Sequence, residues 1–265
     1  MERLKQMKLY LFDMDGTLYL GNRLYPFTKE LLFTLRSTGR DYLFVTNNSS
    51  KSVNDYIKKL ENMGIMAKRE DFVTSSQATA YYLLKHHKEQ KLFVCGTQSL
   101  KDELTQSGLV LTENPDEVDC IVMGFDTELT FHKLEVISRL LCTRDIPYIA
   151  TNGDYVCPTE FGSVPDCGSV CDMLFNATGK RPIVIGKPGT LIPQLAMERT
   201  GYGPEETVMV GDRLYTDIQC GLNAGLLPVL VLSGETTEQM LQESEIHPDV
   251  VLKDASAITK LLVQC

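Results

Sequence analysis

The chain has 265 residues, 43% of them hydrophobic and 23% charged, and its 26 lysines and arginines stand against 35 aspartates and glutamates for a formal charge of 26 − 35 = −9. This is the balance of a soluble globular protein with enough chain for a large core, and the acidic excess, without any lysine/arginine stripe, argues against a non-specific nucleic-acid role. No stretch approaches the roughly eighteen apolar residues of a membrane span, and Met1-Glu2-Arg3-Leu4-Lys5-Gln6 lacks the apolar core of a signal peptide, so a cytoplasmic protein with reduced thiols and no membrane partner is expected.

Taken in chain order, residues 8–12 form an apolar run, a strand by pattern, that ends in Asp13-Met14-Asp15-Gly16-Thr17. Two carboxylates this close raise each other's pKa unless a cation offsets them. The pair therefore suggests a bound metal ion and an anionic ligand, with one Asp free as nucleophile or acid/base; taken alone it also fits a polar turn. Apolar residues alternate around Gly21-Asn22, which predicts a two-residue hairpin. Leu31, Leu32 and Leu35 share a helix face that closes at Gly39. Residues 42–45 read as a strand leading into Thr46-Asn47-Asn48, where a hydroxyl and backbone N–H groups can hold an anion, although Thr-Asn is also ordinary turn chemistry. Val53, Ile57 and Leu60 mark another helix, with Gly64 after it.

Strands are predicted next at 92–95, 120–123 and 148–150, with a helix carrying Leu134, Ile137, Leu140 and Leu141 before the last of them. Residues 183–185 precede Gly186-Lys187-Pro188-Gly189, whose lysine can bridge a carboxylate and a phosphate, although taken alone it also reads as a surface lysine. Leu191, Leu195 and Ala196 share a face that ends at Gly201. Strand 207–210 then leads into Gly211-Asp212-Arg213-Leu214-Tyr215-Thr216-Asp217, in which Asp217 could equally be a helix N-cap, and 229–232 is the last predicted strand. Strand–helix alternation implies an α/β fold with a doubly wound parallel sheet, whose ligands bind beyond the carboxyl ends of the strands. Tyr42-Leu43-Phe44-Val45-Thr46-Asn47 is echoed by Tyr148-Ile149-Ala150-Thr151-Asn152, which suggests two α/β units. Cys95, Cys120 and Cys142 lie in apolar runs; Cys157, Cys167 and Cys171 lack zinc-ligand spacing, as do His86, His87, His132 and His247.

Four motifs thus follow four hydrophobic strands: Asp-x-Asp-Gly-Thr from Asp13, Thr46-Asn47, Lys187-Pro188 and Gly-Asp-x-x-x-Thr-Asp from Gly211. In this order they resemble the haloacid dehalogenase superfamily. The resemblance implies a doubly wound, Rossmann-like core in which Asp13 is the nucleophile, Asp15 the general acid/base, and Thr46, Asn47 and Lys187 hold the phosphoryl group. Asp13, Asp212 and the main-chain carbonyl of Asp15 would bind Mg²⁺, with Asp217 behind them.

Thr46 and Lys187 are 187 − 46 = 141 positions apart, about a hundred more than the core needs. The surplus is expected to form an inserted α/β cap at 78–180, with the core at 1–77 and 181–265. A cap at this point, with Thr-Asn-Asn and Gly-Asp-Arg-Leu-x-Thr-Asp, resembles the NagD-like or p-nitrophenylphosphatase-like branch with a C2-type cap. The implied activity is Mg²⁺-dependent hydrolysis of small phosphomonoesters, such as a sugar phosphate or nucleotide, through an aspartyl-phosphate. Asp126, Asn152 and Asp154, in cap strand-end loops, are the candidates for selecting the leaving group, and the cap is a surface through which a homodimer could form. A phosphotransferase or mutase on the same core is the alternative, ahead of a non-catalytic phosphate-binding protein. Tyr215 departs from the Asp common in relatives, at a position not presumed to bind metal.

Overall fold

A computed structural model describes residues 1–159 and 161–263. They fall into two compact units, one of residues 1–46, 57–73 and the chain from 187 onward, the other of 47–56 and 74–186.

The first unit is built on a six-stranded sheet in the order Val250–Leu252, Leu227–Val231, Thr207–Gly211, Leu9–Phe12, Asp41–Thr46, Phe72–Thr74. Leu9–Phe12 pairs in parallel with Thr207–Gly211 on one side and with Asp41–Thr46 on the other, in registers such as Phe12 to Val210 and Phe12 to Phe44. Every residue of Leu9–Phe12, Thr207–Gly211 and Leu227–Val231 is buried. Parallel strands covered on both faces read as continuous apolar runs, which is why these were legible in the sequence. The helix Thr28–Ser37 turns Leu31, Leu32 and Leu35 inward and packs against Ser256–Val263. Directly after the Asp13-Asp15 turn comes the hairpin of Tyr19–Leu20 and Arg23–Leu24, with Leu20 opposite Arg23; Gly21 supplies the positive φ of its turn, +58°.

The second unit carries its own five-stranded sheet, in the order Ile183–Val184, Tyr148–Ala150, Cys120–Met123, Lys91–Cys95, Val110–Leu111, with parallel pairing throughout. Phe93, Ile121, Met123, Ile137, Leu140, Cys167 and Leu174 are among the buried side chains of its core. An antiparallel ribbon of Val156–Thr159 and Gly162–Pro165 stands outside that sheet. Residues 47–56 join this unit through its strand-end loops: Phe125 N–H donates to Ser49 Oγ at 2.9 Å, the Ser49 and Thr151 hydroxyls are 2.8 Å apart, and Thr97 Oγ1 donates to Ser50 O at 3.0 Å. The unit therefore begins thirty-one residues before the boundary expected at 78 (78 − 47 = 31).

Strands absent from the sequence reading are short or exposed. Phe72–Thr74, Val110–Leu111 and Val250–Leu252 lie at sheet edges, and the ribbon is made of exposed and half-buried residues, so neither has the sustained apolar run that reveals a central strand.

Candidate active site

In the first unit the strand order reverses between Leu9–Phe12 and Thr207–Gly211, and in open α/β sheets a crevice opens beyond the strand ends at such a point. Two of the four motifs end there. The Asp13 N–H donates to Val210 O at 2.8 Å, which carries the ladder one residue past Phe12 and holds Asp13 beside the neighbouring strand end. Asp212 follows Gly211 on that neighbour, and Asp217 lies in the π-helical turn Leu214–Ile218, a deformation frequent at functional sites.

Lys187 joins them. Its Nζ donates to Asp13 Oδ1 at 2.6 Å and to Asp217 Oδ1 at 2.5 Å, and the side-chain exposures are 2% for Lys187, 15% for Asp13 and 1% for Asp217. Carboxylate oxygens of Asp13, Asp212 and Asp217 all lie within 4.8 Å of one another. Asp217 spends both oxygens on protein donors, the second accepting from Arg213 N–H at 3.1 Å. Asp212 does not: Oδ2 accepts from Glu235 N–H at 2.7 Å, while Oδ1 is buried with no hydrogen-bond partner among the described residues. A buried carboxylate oxygen without a donor is costly and fits a cation ligand.

Electrostatics point the same way. Burial, reinforced by the charges of Asp217 and Asp212 and opposed by Lys187, holds the Asp13 carboxyl well above the usual carboxylate range. Burial and the Asp217 charge push Asp212 up to about 7. Burial also works against the Lys187 ammonium, but Asp13 and Asp217 outweigh it and raise its pKa. Three carboxylates around one ammonium form a cluster short of positive charge. The donor set is all oxygen, the chemistry of Mg²⁺ and Ca²⁺ rather than of thiophilic metals.

Small residues make room for this. A Cβ on Gly16, which has φ +82°, or on Gly234 would collide with the Asp212 carboxylate, and one on Gly211 would collide with Asp217. Gly234 belongs to a segment the sequence reading missed. Ser233 Oγ donates to Gly16 O at 2.7 Å, and Glu235 pairs its carboxylate with Arg213 Nε at 2.8 Å besides giving its N–H to Asp212. The available signal was positional: Ser233-Gly234-Glu235-Thr236 follows the apolar run 229–232, a further strand end in the same sheet.

Asp15 is placed differently. Its side chain is 58% exposed, 4.0 Å from Lys59 Nζ, and accepts a long hydrogen bond from Gly21 N–H at 3.4 Å. It stays outside the buried cluster and in reach of water. Thr46 closes the strand Asp41–Thr46 and is buried. Asn47 belongs to the second unit, where its Nδ2 donates to Asp154 Oδ2 at 2.8 Å and its carbonyl accepts from Ser75 Oγ at 2.7 Å.

The three candidate selectors are interior residues of the second unit. Asp126, 1% exposed at its side chain, pairs with Lys133 Nζ at 2.7 Å and accepts from Glu128 N–H at 2.8 Å. Asn152 Nδ2 donates to Asp154 Oδ2 at 2.9 Å and to Asp166 Oδ1 at 3.1 Å. Tyr215, by contrast, is partly exposed.

Residues 10–110 match the family model of haloacid dehalogenase-like hydrolases, and residues 184–258 match a second model described as HAD-hydrolase-like. The 5'-nucleotidase YutF of Bacillus subtilis is 36% identical over 245 residues, which are 92% of this chain and 94% of that protein. An acid sugar phosphatase of Staphylococcus aureus is 36% identical over 259 residues, covering 97% of this chain and 99% of that one. Among solved structures, a 4-nitrophenylphosphatase from Thermotoga maritima superposes with a TM-score of 0.93 at 39% identity, covering 97% of this chain and 98% of its own.

Proposed function

The chain belongs to the haloacid dehalogenase-like hydrolases and is a phosphatase of small phosphomonoesters, and from that premise we propose a Mg²⁺-dependent route through a covalent phosphoryl intermediate on Asp13. The observation that carries the proposal is the pairing of Asp13 with Lys187 beside Asp212, whose Oδ1 is buried and has no donor among the described residues.

In this reading an Asp13 carboxylate oxygen attacks phosphorus while the bond to the leaving oxygen breaks, and Asp15 gives that oxygen its proton. Asp15 then takes a proton from the water that attacks the aspartyl-phosphate, and inorganic phosphate leaves. The exposure of Asp15 supports this exchange role. Lys187 fixes the Asp13 carboxylate and, with Thr46 and the Asn47 main chain, holds the phosphoryl oxygens. Asp13, Asp212 and the Asp15 main-chain carbonyl would hold Mg²⁺, with Asp217 behind them, and the ion would offset the charge that accumulates on the phosphoryl oxygens. Asp126, Asn152 and Asp154 enter as positioning residues that shape the loops of the second unit, through which leaving groups are selected. Sugar phosphates and nucleotides are the substrate classes, given the acid sugar phosphatase and 5'-nucleotidase among its relatives. A cytoplasmic homodimer paired through that unit completes the reading.

Release of phosphate from p-nitrophenyl phosphate with Mg²⁺, and its loss in excess chelator, tests the metal. Undiminished turnover in chelator overturns the assignment of Asp212. A panel of sugar phosphates and nucleotides then ranks the substrates.

A further inference from the structure

The helix Cys167–Thr178 of the second unit opens with two buried thiols one turn apart, Cys167 and Cys171, whose sulfurs are 4.0 Å apart. They serve no part of the phosphatase chemistry. Three further features surround them. A cavity of about 120 Å³, lined among others by Asn152, Tyr155, Gly168, Arg181 and Val184, reaches Cys171. The buried Tyr148 hydroxyl, with no conventional hydrogen bond among the described residues, faces the same sulfur. The N-terminal turn of the helix is tied down: Asp166 caps it by accepting from Cys167 N–H, Gly168 N–H donates to Asp154 O at 2.8 Å, and Asn152 Nδ2 donates to Asp166.

We propose that Cys167 and Cys171 form a peroxide-sensitive dithiol, in which Cys171 is the sulfur attacked from the cavity and Cys167 the sulfur that resolves it. The proton distribution suits this order. The neighbouring Cys167 thiol, followed by Tyr148, holds the Cys171 pKa below its ordinary value although burial opposes it, while the Cys167 pKa is raised by the same pairing and by burial. The pair thus keeps its proton on Cys167, and a lowered thiol pKa is what makes a cysteine reactive. The Cys171 thiolate attacks one oxygen of a hydroperoxide; an S–O bond forms, the O–O bond breaks, and the released hydroxide or alkoxide takes a proton and leaves as water or alcohol. Cys167 then attacks the Cys171 sulfenic sulfur; the S–S bond forms, the S–O bond breaks, and the hydroxyl departs as water with the Cys167 proton. The thiols are oxidised by two electrons and the peroxide reduced by two. The sulfurs must close from 4.0 Å to about 2.0 Å. Cys167 is the first residue of the helix, so closing the sulfurs means shifting its N-terminal turn against the bonds that hold it to Asp166, Asn152 and Asp154.

The test treats the full-length protein with hydrogen peroxide, blocks free thiols by alkylation and maps the cysteines by mass spectrometry. One intramolecular disulfide between Cys167 and Cys171, lighter by two hydrogens and reopened by dithiothreitol, is expected well before oxidation of Cys95, a buried thiol of the same unit whose pKa is raised by burial. In Cys167→Ser, Cys171 should stop at the sulfenic acid and be trapped by dimedone. A Cys157–Cys171 link, oxidation of Cys171 no faster than Cys95, or sulfinic acid without a disulfide in the wild-type protein would each overturn the proposal. The wild-type map stands even if the variant folds poorly.

Discussion

The two sheets of this molecule end in similar sequences and different chemistry. Each has a strand that runs into Thr-Asn, at Thr46-Asn47 and at Thr151-Asn152, and each places carboxylates just beyond its strands. In the second unit every such carboxylate has its donor: Asp126 has Lys133, Asp154 has Asn47 and Asn152, and Asp166 has Asn152 and the Cys167 N–H. In the first, Asp13, Asp212 and Asp217 gather around Lys187, and one buried oxygen of Asp212 stays without a donor among the described residues. Satisfied charges build loops. Charges gathered beyond what their neighbours can neutralise mark where an ion and a substrate are needed.

Asp13→Asn should break the comparison most. Losing a covalent nucleophile costs roughly 10⁴–10⁶-fold in turnover, and since the change relieves negative charge in the cluster the fold should survive; turnover with p-nitrophenyl phosphate and a thermal melt read both, and more than a few per cent of residual activity would remove Asp13 from that role. Asp15→Asn should lower turnover by about 10²–10⁴-fold while Mg²⁺ affinity stays close to normal. Normal turnover at saturating Mg²⁺ would contradict the acid/base assignment.

Lys187→Met and Lys133→Met set the two sheets directly against each other. Each strips a buried carboxylate of its lysine, a change that costs on the order of 3–5 kcal/mol, so both should melt earlier. Lys187→Met alone should also lose roughly 10²–10³-fold in turnover. Equal turnover losses in the two would mean that the difference between the sheets is not chemical.

The smallest effect is in pH. Without a cation, the Asp212 pKa rises on folding from 3.8 to about 7, so the folded protein binds the proton that the unfolded chain releases in that window. Stability of the cation-free protein therefore falls as pH rises from about 4 to about 7, and a bound cation removes the penalty. Mg²⁺ should raise the melting temperature more at pH 8 than at pH 5; an equal rise at both would take Asp212 out of the cation site.

What was legible in the sequence was local. Asp13, Asp15, Thr46, Asp212 and Asp217 each sit in a short string behind an apolar strand of one parallel sheet, which brings such strings to one edge, while Lys187 follows Ile183–Val184, a strand of the other sheet. The Ser233–Thr236 segment escaped notice because it meets Asp212 through a main-chain N–H and a missing Cβ, which leave no side-chain signature. The bond from Asn47 to Asp154 spans 107 positions, and either residue taken alone reads as a turn.

The Lys187–Asp13 ion pair closes a separation of 174 residues, and that has a consequence for how the protein is made. The strand 9–12 meets its first neighbour after 41 − 12 = 29 residues but waits for its second until 207 − 12 = 195. At about 5–20 residues per second, a ribosome leaves one side of that apolar strand bare for roughly 10–40 s. The second unit, whose sheet is complete at Val184, can fold in the interval. The nascent first unit cannot, and a chain that stalls before Thr207 presents an open hydrophobic edge of the kind that recruits chaperones or aggregates.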